Sequence, residues 1–122
     1  MSSVSPGFQD FILDLLGPLD PIVRRMFSGV GLFHGGVMFG LMARDVLYLR
    51  VDDRTRERFK RAGSRPFSYR RGERQVSLSA YYVVPEELMD RPDELQQWVR
   101  DAITAARVAH RRRLSAPPPP SG

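Results

Sequence analysis

Between Arg24 and Val51 the chain reads RRMFSGVGLFHGGVMFGLMARDVLYLRV, and no other stretch narrows the possible folds as much. Short apolar runs alternate with glycine pairs and a polar turn, the pattern of consecutive strands joined by tight connections. Residues 22–27 read as a first strand, with Gly29 and Gly31 marking a bend or bulge before residues 30–33. After His34, Gly35 and Gly36 supply the positive φ angles of a hairpin turn. Residues 37–42 return, Ala43, Arg44 and Asp45 turn again, and residues 46–51 follow as the next strand. Connections this short cannot cross between parallel strands, so this part of the sheet is antiparallel.

Helical signals flank the strands. Ser5 is a suitable N-cap, Pro6 fits the first helical position, and Phe8, Phe11, Ile12, Leu15 and Leu16 fall on one helical face before Gly17 and Pro18 end it. Asp52 and Asp53 can cap a short helix over 55–62 whose apolar face is thin, leaving its arginines in water, with Gly63 at its end. Residues 66–70 and 75–83 form a second hairpin around Arg71, Gly72 and Glu73. In it Val76, Leu78, Ala80 and Tyr82 alternate with Gln75, Ser77, Ser79 and Tyr81, the pattern of one buried and one wet face. A last helix starts at Pro92, with Leu95, Trp98, Val99, Ala102, Ile103 and Ala106 as its apolar stripe. The expected fold is α+β: two layers, an antiparallel sheet of about five to six strands packed by N- and C-terminal helices.

A chain of 122 residues is one domain's worth. We place the domain at 1–110 and expect residues 111–122, RRRLSAPPPPSG, to be a disordered basic and Pro-rich tail, whose proline end cannot continue a helix. The absence of cysteine excludes disulfides, thiol catalysis, Cys-based zinc sites and iron–sulfur clusters. No apolar run approaches the roughly 20 residues that span a bilayer, and the N-terminus does not read as a secretion signal. We therefore expect a cytoplasmic protein without membrane contact.

Candidate chemistry is sparse. His34 and His110 lie far apart in sequence, without a carboxylate pattern suited to a metal. Gly29, Gly31, Gly35 and Gly36 run into strands with no lysine nearby, unlike a phosphate loop. Serines 28, 64, 68, 77 and 79 lack a nucleophile elbow, and the carboxylate pairs Asp52–Asp53 and Glu86–Glu87 suit a helix cap and a turn. We expect no catalytic residue, no metal ligand and no cofactor.

Charge is the remaining signal. Residues 54–74 hold nine Arg or Lys against Glu57 and Glu73, a local balance of +7, and Arg107, Arg111, Arg112 and Arg113 add +4. Such zones attract nucleic acid or acidic proteins, or are simply a solvated arginine-rich surface. Arg24 and Arg25 occupy consecutive strand positions and so point to opposite faces. One of them should meet the helix layer, where a strand-to-helix salt bridge is the expected partner. Of Tyr81 and Tyr82, one ring should be buried and the other available to a partner.

The order of these motifs resembles a known family. Arg24-Arg25-Met26-Phe27-Ser28-Gly29-Val30-Gly31, Gly36-Val37-Met38-Phe39, Leu47-Tyr48-Leu49-Arg50-Val51-Asp52, Pro66-Phe67-Ser68-Tyr69 and residues 81–88 leading to Trp98 are similar to the N-terminal domain of the TfoX/Sxy competence regulators. Ser28 departs from the family's usual glycine, which suggests a loop of slightly different shape. The resemblance implies a two-layer α/β domain in a stand-alone version, without the regulators' second, helical domain. It also implies a role in regulating natural transformation genes, where the family acts with the cyclic-AMP receptor protein at certain promoters. It brings no catalytic residues.

The resulting expectation is a non-enzymatic regulatory or interaction module, with Arg24, Arg25, Arg70, Arg71, Arg74 and Tyr81 as contact residues. Its expected partner is a protein, such as a DNA-bound transcription regulator, with direct nucleic-acid contact as the weaker version. The alternatives are a small ligand-binding or enzymatic domain with a pocket between sheet and helices, and a self-associating domain forming a homodimer.

Overall fold

The structure, a computed structural model, describes residues 4–26 and 29–115. The expectation for Ser28 lies outside the described residues. Helix α1 (Pro6–Leu15) and a 3-10 turn (Gly17–Leu19) lead into strands β1 (Ile22–Met26), β2 (Gly29–His34), β3 (Val37–Ala43) and β4 (Val46–Arg50). Helix α2 (Asp53–Arg61) then carries the chain to a hairpin of β5 (Pro66–Arg71) and β6 (Arg74–Val83). A second 3-10 turn (Glu86–Asp90) precedes the long helix α3 (Pro92–Ser115). Among the described residues all six strands join one antiparallel sheet, ordered β1-β2-β3-β4-β6-β5. The fold is α+β, with the N- and C-terminal helices flanking an open sheet as the apolar spacing predicts.

Local chemistry sets the boundaries. Ser5 caps α1, its hydroxyl accepting from the Phe8 N–H at 3.2 Å. Asp52 and Thr55 cap α2 reciprocally: Asp52 Oδ1 accepts the Thr55 N–H at 2.8 Å, and Thr55 Oγ1 accepts the Asp52 N–H at 2.9 Å. Burial pushes the Asp52 carboxyl up, but the Thr55 hydrogen bonds and the Arg54 charge together outweigh it and leave the group below its usual range. Gly35 and Gly36, at φ +58° and +81°, turn β2 into β3. The turn into β4 uses Arg44 and Asp45 at φ +53° and +55°, so two residues with side chains hold a backbone that glycine normally occupies.

All three helices cover one face of the sheet. Ile12 and Leu16 of α1, Phe59 of α2, and Leu95, Trp98, Val99 and Ile103 of α3 meet Leu32, Phe39, Met42, Leu47, Leu49 and Tyr82. Fully burying a Phe or Leu stabilises by about 1.5–3 kcal/mol, so Phe59 is the main apolar anchor of an otherwise charged helix. Trp98 packs edge-on against Phe59, with ring centroids 4.7 Å apart. The same sheet face accommodates an irregularity in β3, where Leu32 pairs with Gly40 and Phe33 with Met38. The extra residue, Phe39, is fully buried in the helix-side core, while Met38 and Leu41 belong to the opposite face.

Several expectations need correction. The bulge lies at Leu32/Phe33 and not at Gly29 or Gly31, which sit in regular register with Met26 and Arg24. Neither Arg24 nor Arg25 makes an ion pair among the described residues, and both are exposed, because β1 is an edge strand that the helices do not reach at this end. Arg24 instead lies over the Phe33 ring, 5.4 Å from its centroid. Tyr81 and Tyr82 are both buried, at 8% and 5% exposure, because both faces of β6 are covered at this point. In β6, Leu78 is exposed at 39%: the pairing jumps from Pro66–Tyr82 to Phe67–Leu78, turning the outer hairpin away from the helix-side core. The arginines of α2 are not all in water, since Arg58 lies 4.5 Å from the Trp98 ring centroid and 2.9 Å from Asp101. Finally, α3 continues through Arg111, Arg112 and Arg113 to Ser115; the proline run at 117–120 lies outside the described residues.

Candidate functional site: an arginine-rimmed groove on the open sheet face

The face of the sheet without helices is not a wet surface. Leu41, Ala43 and Tyr81 form a second, smaller apolar cluster, with Met38, Tyr48, Phe67 and Ala80 packed against it. β3 reads VMFGLMA with no polar residue because it is covered on both sides, by helices on one and by this cluster on the other. The twisted β5–β6 hairpin supplies one wall: Phe67 meets Tyr48 edge-on at 4.8 Å, and Tyr69 stands 6.0 Å from Phe67. Met26 of the edge strand β1 supplies the other.

Between these walls runs a groove of about 680 Å3. Met26, Met38, Leu41 and Leu78 are its aliphatic lining, and Phe67, Tyr69 and Tyr81 its aromatic one. Met26, Tyr69 and Leu78 each expose over a third of their surface, a concentration of uncovered apolar area on one face. Gly29, Val30 and Ala43 with three cations, Arg44, Arg70 and Arg71, complete the lining, and among the described residues no Asp or Glu takes part in it. Gly31 leaves room for the methionine side chains that line the groove. A Cβ there would come within 2.7 Å of Met26 Sδ, 2.8 Å of Phe33 Cε1 and 3.1 Å of Met38 Sδ.

The groove therefore combines an apolar floor with a cationic rim. Such a surface can desolvate apolar groups and hold anionic ones beside them. Burial raises the Tyr81 phenol above its ordinary value, opposed by a hydrogen bond and charge from Arg50 and by Arg113. The Arg50 guanidinium lies 5.7 Å from the Tyr81 ring centroid. Burial likewise raises Tyr48, against Arg44 and Arg65. Among the described residues of the lining there is no Ser, Thr, Cys or His. Among the described residues no three His, Asp or Glu side chains are placed to hold a metal ion. A second cleft, of about 550 Å3, lies by Phe8 and carries the mixed charges of Asp45, Arg65, Glu86 and Glu87, so it has no comparable bias.

The contact residues expected from sequence divide accordingly. Arg70, Arg71 and Tyr81 line the groove. Arg24 pairs with Gly31 and alternates with Met26, which puts it on the same face, whereas Arg25 pairs with the helix-side Val30. Arg74 pairs with Arg71 at the hairpin tip. The sequence reading missed Met26, Met38, Leu41, Phe67, Tyr69 and Leu78. The unbroken apolar run of β3 was the available signal, because a strand apolar at every position needs cover on both faces.

No helix is long and apolar enough to cross a membrane among the described residues. The family model described as TfoX N-terminal domain matches residues 14–106, from the end of α1 into α3. DNA transformation protein TfoX1 of Aliivibrio fischeri (strain ATCC 700601 / ES114) is 31% identical over 85 residues, covering 70% of this chain and 40% of the relative. The match thus spans about two fifths of the length of that curated relative. With the family match running through every strand of the sheet and both of its faces, the chain belongs to the TfoX N-terminal domain family.

Proposed function

We propose that the protein is a non-enzymatic interaction module that takes part in regulating DNA-transformation genes in the cytoplasm, docking a protein partner on the open sheet face. The observation that carries this reading is the groove itself: uncovered Met, Leu and Tyr side chains rimmed by arginines, backed by a sheet–helix interface filled with Phe, Leu and Met. Large exposed apolar patches are uncommon on proteins that work alone and mark surfaces for partners. The family membership and the relative's name support the transformation context, and a DNA-bound transcription regulator is the partner class that fits it. The test is a chromosomal Leu78→Asp or Arg70→Glu/Arg71→Glu replacement, scored by the transcripts of transformation genes. Transcript levels matching a deletion strain support the reading, and levels matching the parent remove it.

A second reading, direct contact with nucleic acid, draws on a different surface. Arg50, Arg56, Arg112 and Arg113 line one cleft between β4, α2 and the end of α3, although Asp52 and Asp53 share it. If this cleft holds phosphates, affinity for a DNA duplex falls steeply with added salt through counterion release. Absence of any mobility shift at low salt eliminates this version.

A further inference from the structure

Resting on the interaction reading above, we infer that the groove takes an acidic amphipathic helix of the partner, with apolar side chains in the floor and carboxylates at the arginine rim. The chemistry of the occupant follows from the lining. Among the described residues no Asp or Glu lines the groove beside Arg44, Arg70 and Arg71, so a basic or neutral segment would leave three cations beside newly buried apolar surface. A carboxylate-bearing segment supplies the missing charge.

The floor selects the shape. Met26 and Met38 from two different strands line the groove with Leu41 and Leu78, and thioether side chains adapt to whatever apolar knobs enter. Met-rich grooves of this kind suit the i, i+3, i+4, i+7 stripe of a helix. An extended peptide would instead seek strand edges, and those lie at β1 and β5, at the sides of the groove and not along its floor. A single-stranded nucleic acid also offers negative charge, but it needs open rings for its bases. Tyr81 is almost covered and Phe67 half-buried, which leaves Tyr69 as the exposed ring, and the Met and Leu floor gives no stacking platform.

The test uses the full chain and a fluorescent synthetic peptide of about five helical turns, with Leu at the stripe positions and Glu elsewhere. Controls are the same composition scrambled, the same stripe with Lys replacing Glu, and a short oligodeoxythymidine. The expected result is saturable anisotropy with a Kd of about micromolar order for the amphipathic acidic peptide alone. Arg70→Glu/Arg71→Glu weakens it about tenfold or more, as charge reversal at a partly desolvated rim requires. Leu78→Asp abolishes it, and because Leu78 is exposed this variant keeps its fold, verified by its circular dichroism.

Equal binding of the scrambled peptide overturns the proposal in favour of unspecific charge attraction. Binding of the lysine peptide, or displacement by the oligonucleotide at equal concentration, overturns it as well. Light scattering that shows a dimer converted to monomer by Leu78→Asp assigns the groove to a second copy of this chain. If no peptide binds but Leu78→Asp still silences the transformation genes, the helical acidic occupant falls while the interaction reading stands.

Discussion

Asp45, in the left-handed turn between β3 and β4, holds the start of α1 through Ser5. Its Oδ1 accepts the Ser5 N–H at 2.7 Å and its Oδ2 accepts the Ser5 hydroxyl at 3.0 Å, while that hydroxyl's oxygen caps Phe8. At the other end of α1, Gln96 of α3 donates to the Leu15 carbonyl at 3.0 Å. The helix is thus fixed at both ends to elements far away in sequence. Replacing Asp45 by Ala loses both bonds and leaves a methyl side chain at positive φ, which should cost about 1–2 kcal/mol. Asp45→Gly removes the same bonds without the backbone strain and should cost less. Urea unfolding of the two variants separates the clamp from the strain, and equal losses would mean that the strain is negligible.

Arg58 joins α2 to α3 by two contacts at once, the Trp98 ring and the Asp101 carboxylate. Because the pair with Asp101 is partly exposed, most of the stabilisation belongs to the ring contact. Arg58→Ala should destabilise by about 1–2 kcal/mol, and Asp101→Asn by less than about 1 kcal/mol. Trp98 is the sole tryptophan, so its fluorescence follows both unfolding transitions. A larger loss from Asp101→Asn than from Arg58→Ala would reverse this assignment.

Much of the architecture was readable because its causes are local. The glycine pair at 35–36, the Asp52 cap and the stripe from Leu95 to Ala106 each act within a few residues, and each element stands where those signals put it. The groove depends on something nonlocal. Leu78 and Val76 alternate as a buried face should, yet the Pro66/Phe67 irregularity turns that face to the side without helices. Nothing at position 78 itself carries that information. Arg24 and Arg25 were misread for a related reason: alternation tells which faces they point to but not how far the helices extend over an edge strand. Arg70 and Arg71 follow from charge density and hairpin position, and both line the groove, whereas Tyr81, expected on a wet face by alternation, lines it as a buried ring.

The tyrosines beside the groove make its packing sensitive to alkali. Burial raises the Tyr81 and Tyr48 phenols above their ordinary value, so the folded state favours their neutral forms. That contribution is complete below the unfolded tyrosine pKa and is lost as pH rises through the higher folded one. Stability should therefore fall as pH rises past the ordinary tyrosine pKa of about 10. The Tyr48→Phe/Tyr81→Phe variant should show a flatter profile over the same rise, measured as urea midpoints at each pH. An unchanged slope would mean that other groups dominate the alkaline response.

Gly31 offers a way to close the groove from inside without touching its rim. An added Cβ meets two methionine sulfurs, which can swing aside, and the edge of the half-buried Phe33 ring. The helix-side core lies on the other face and is not disturbed, so Gly31→Ala should cost only about 1–2 kcal/mol, the range of modest overpacking. The displaced Met26 and Met38 then move into the groove that they line. Affinity for the acidic amphipathic peptide should drop about tenfold or more, a loss out of proportion to the change in stability, because the space for an apolar side chain is gone. Anisotropy titration beside a urea melt of the same preparation measures both quantities. Full affinity in a destabilised Gly31→Ala protein would show that occupants bind at the rim alone, and the apolar floor would lose its assigned part in recognition.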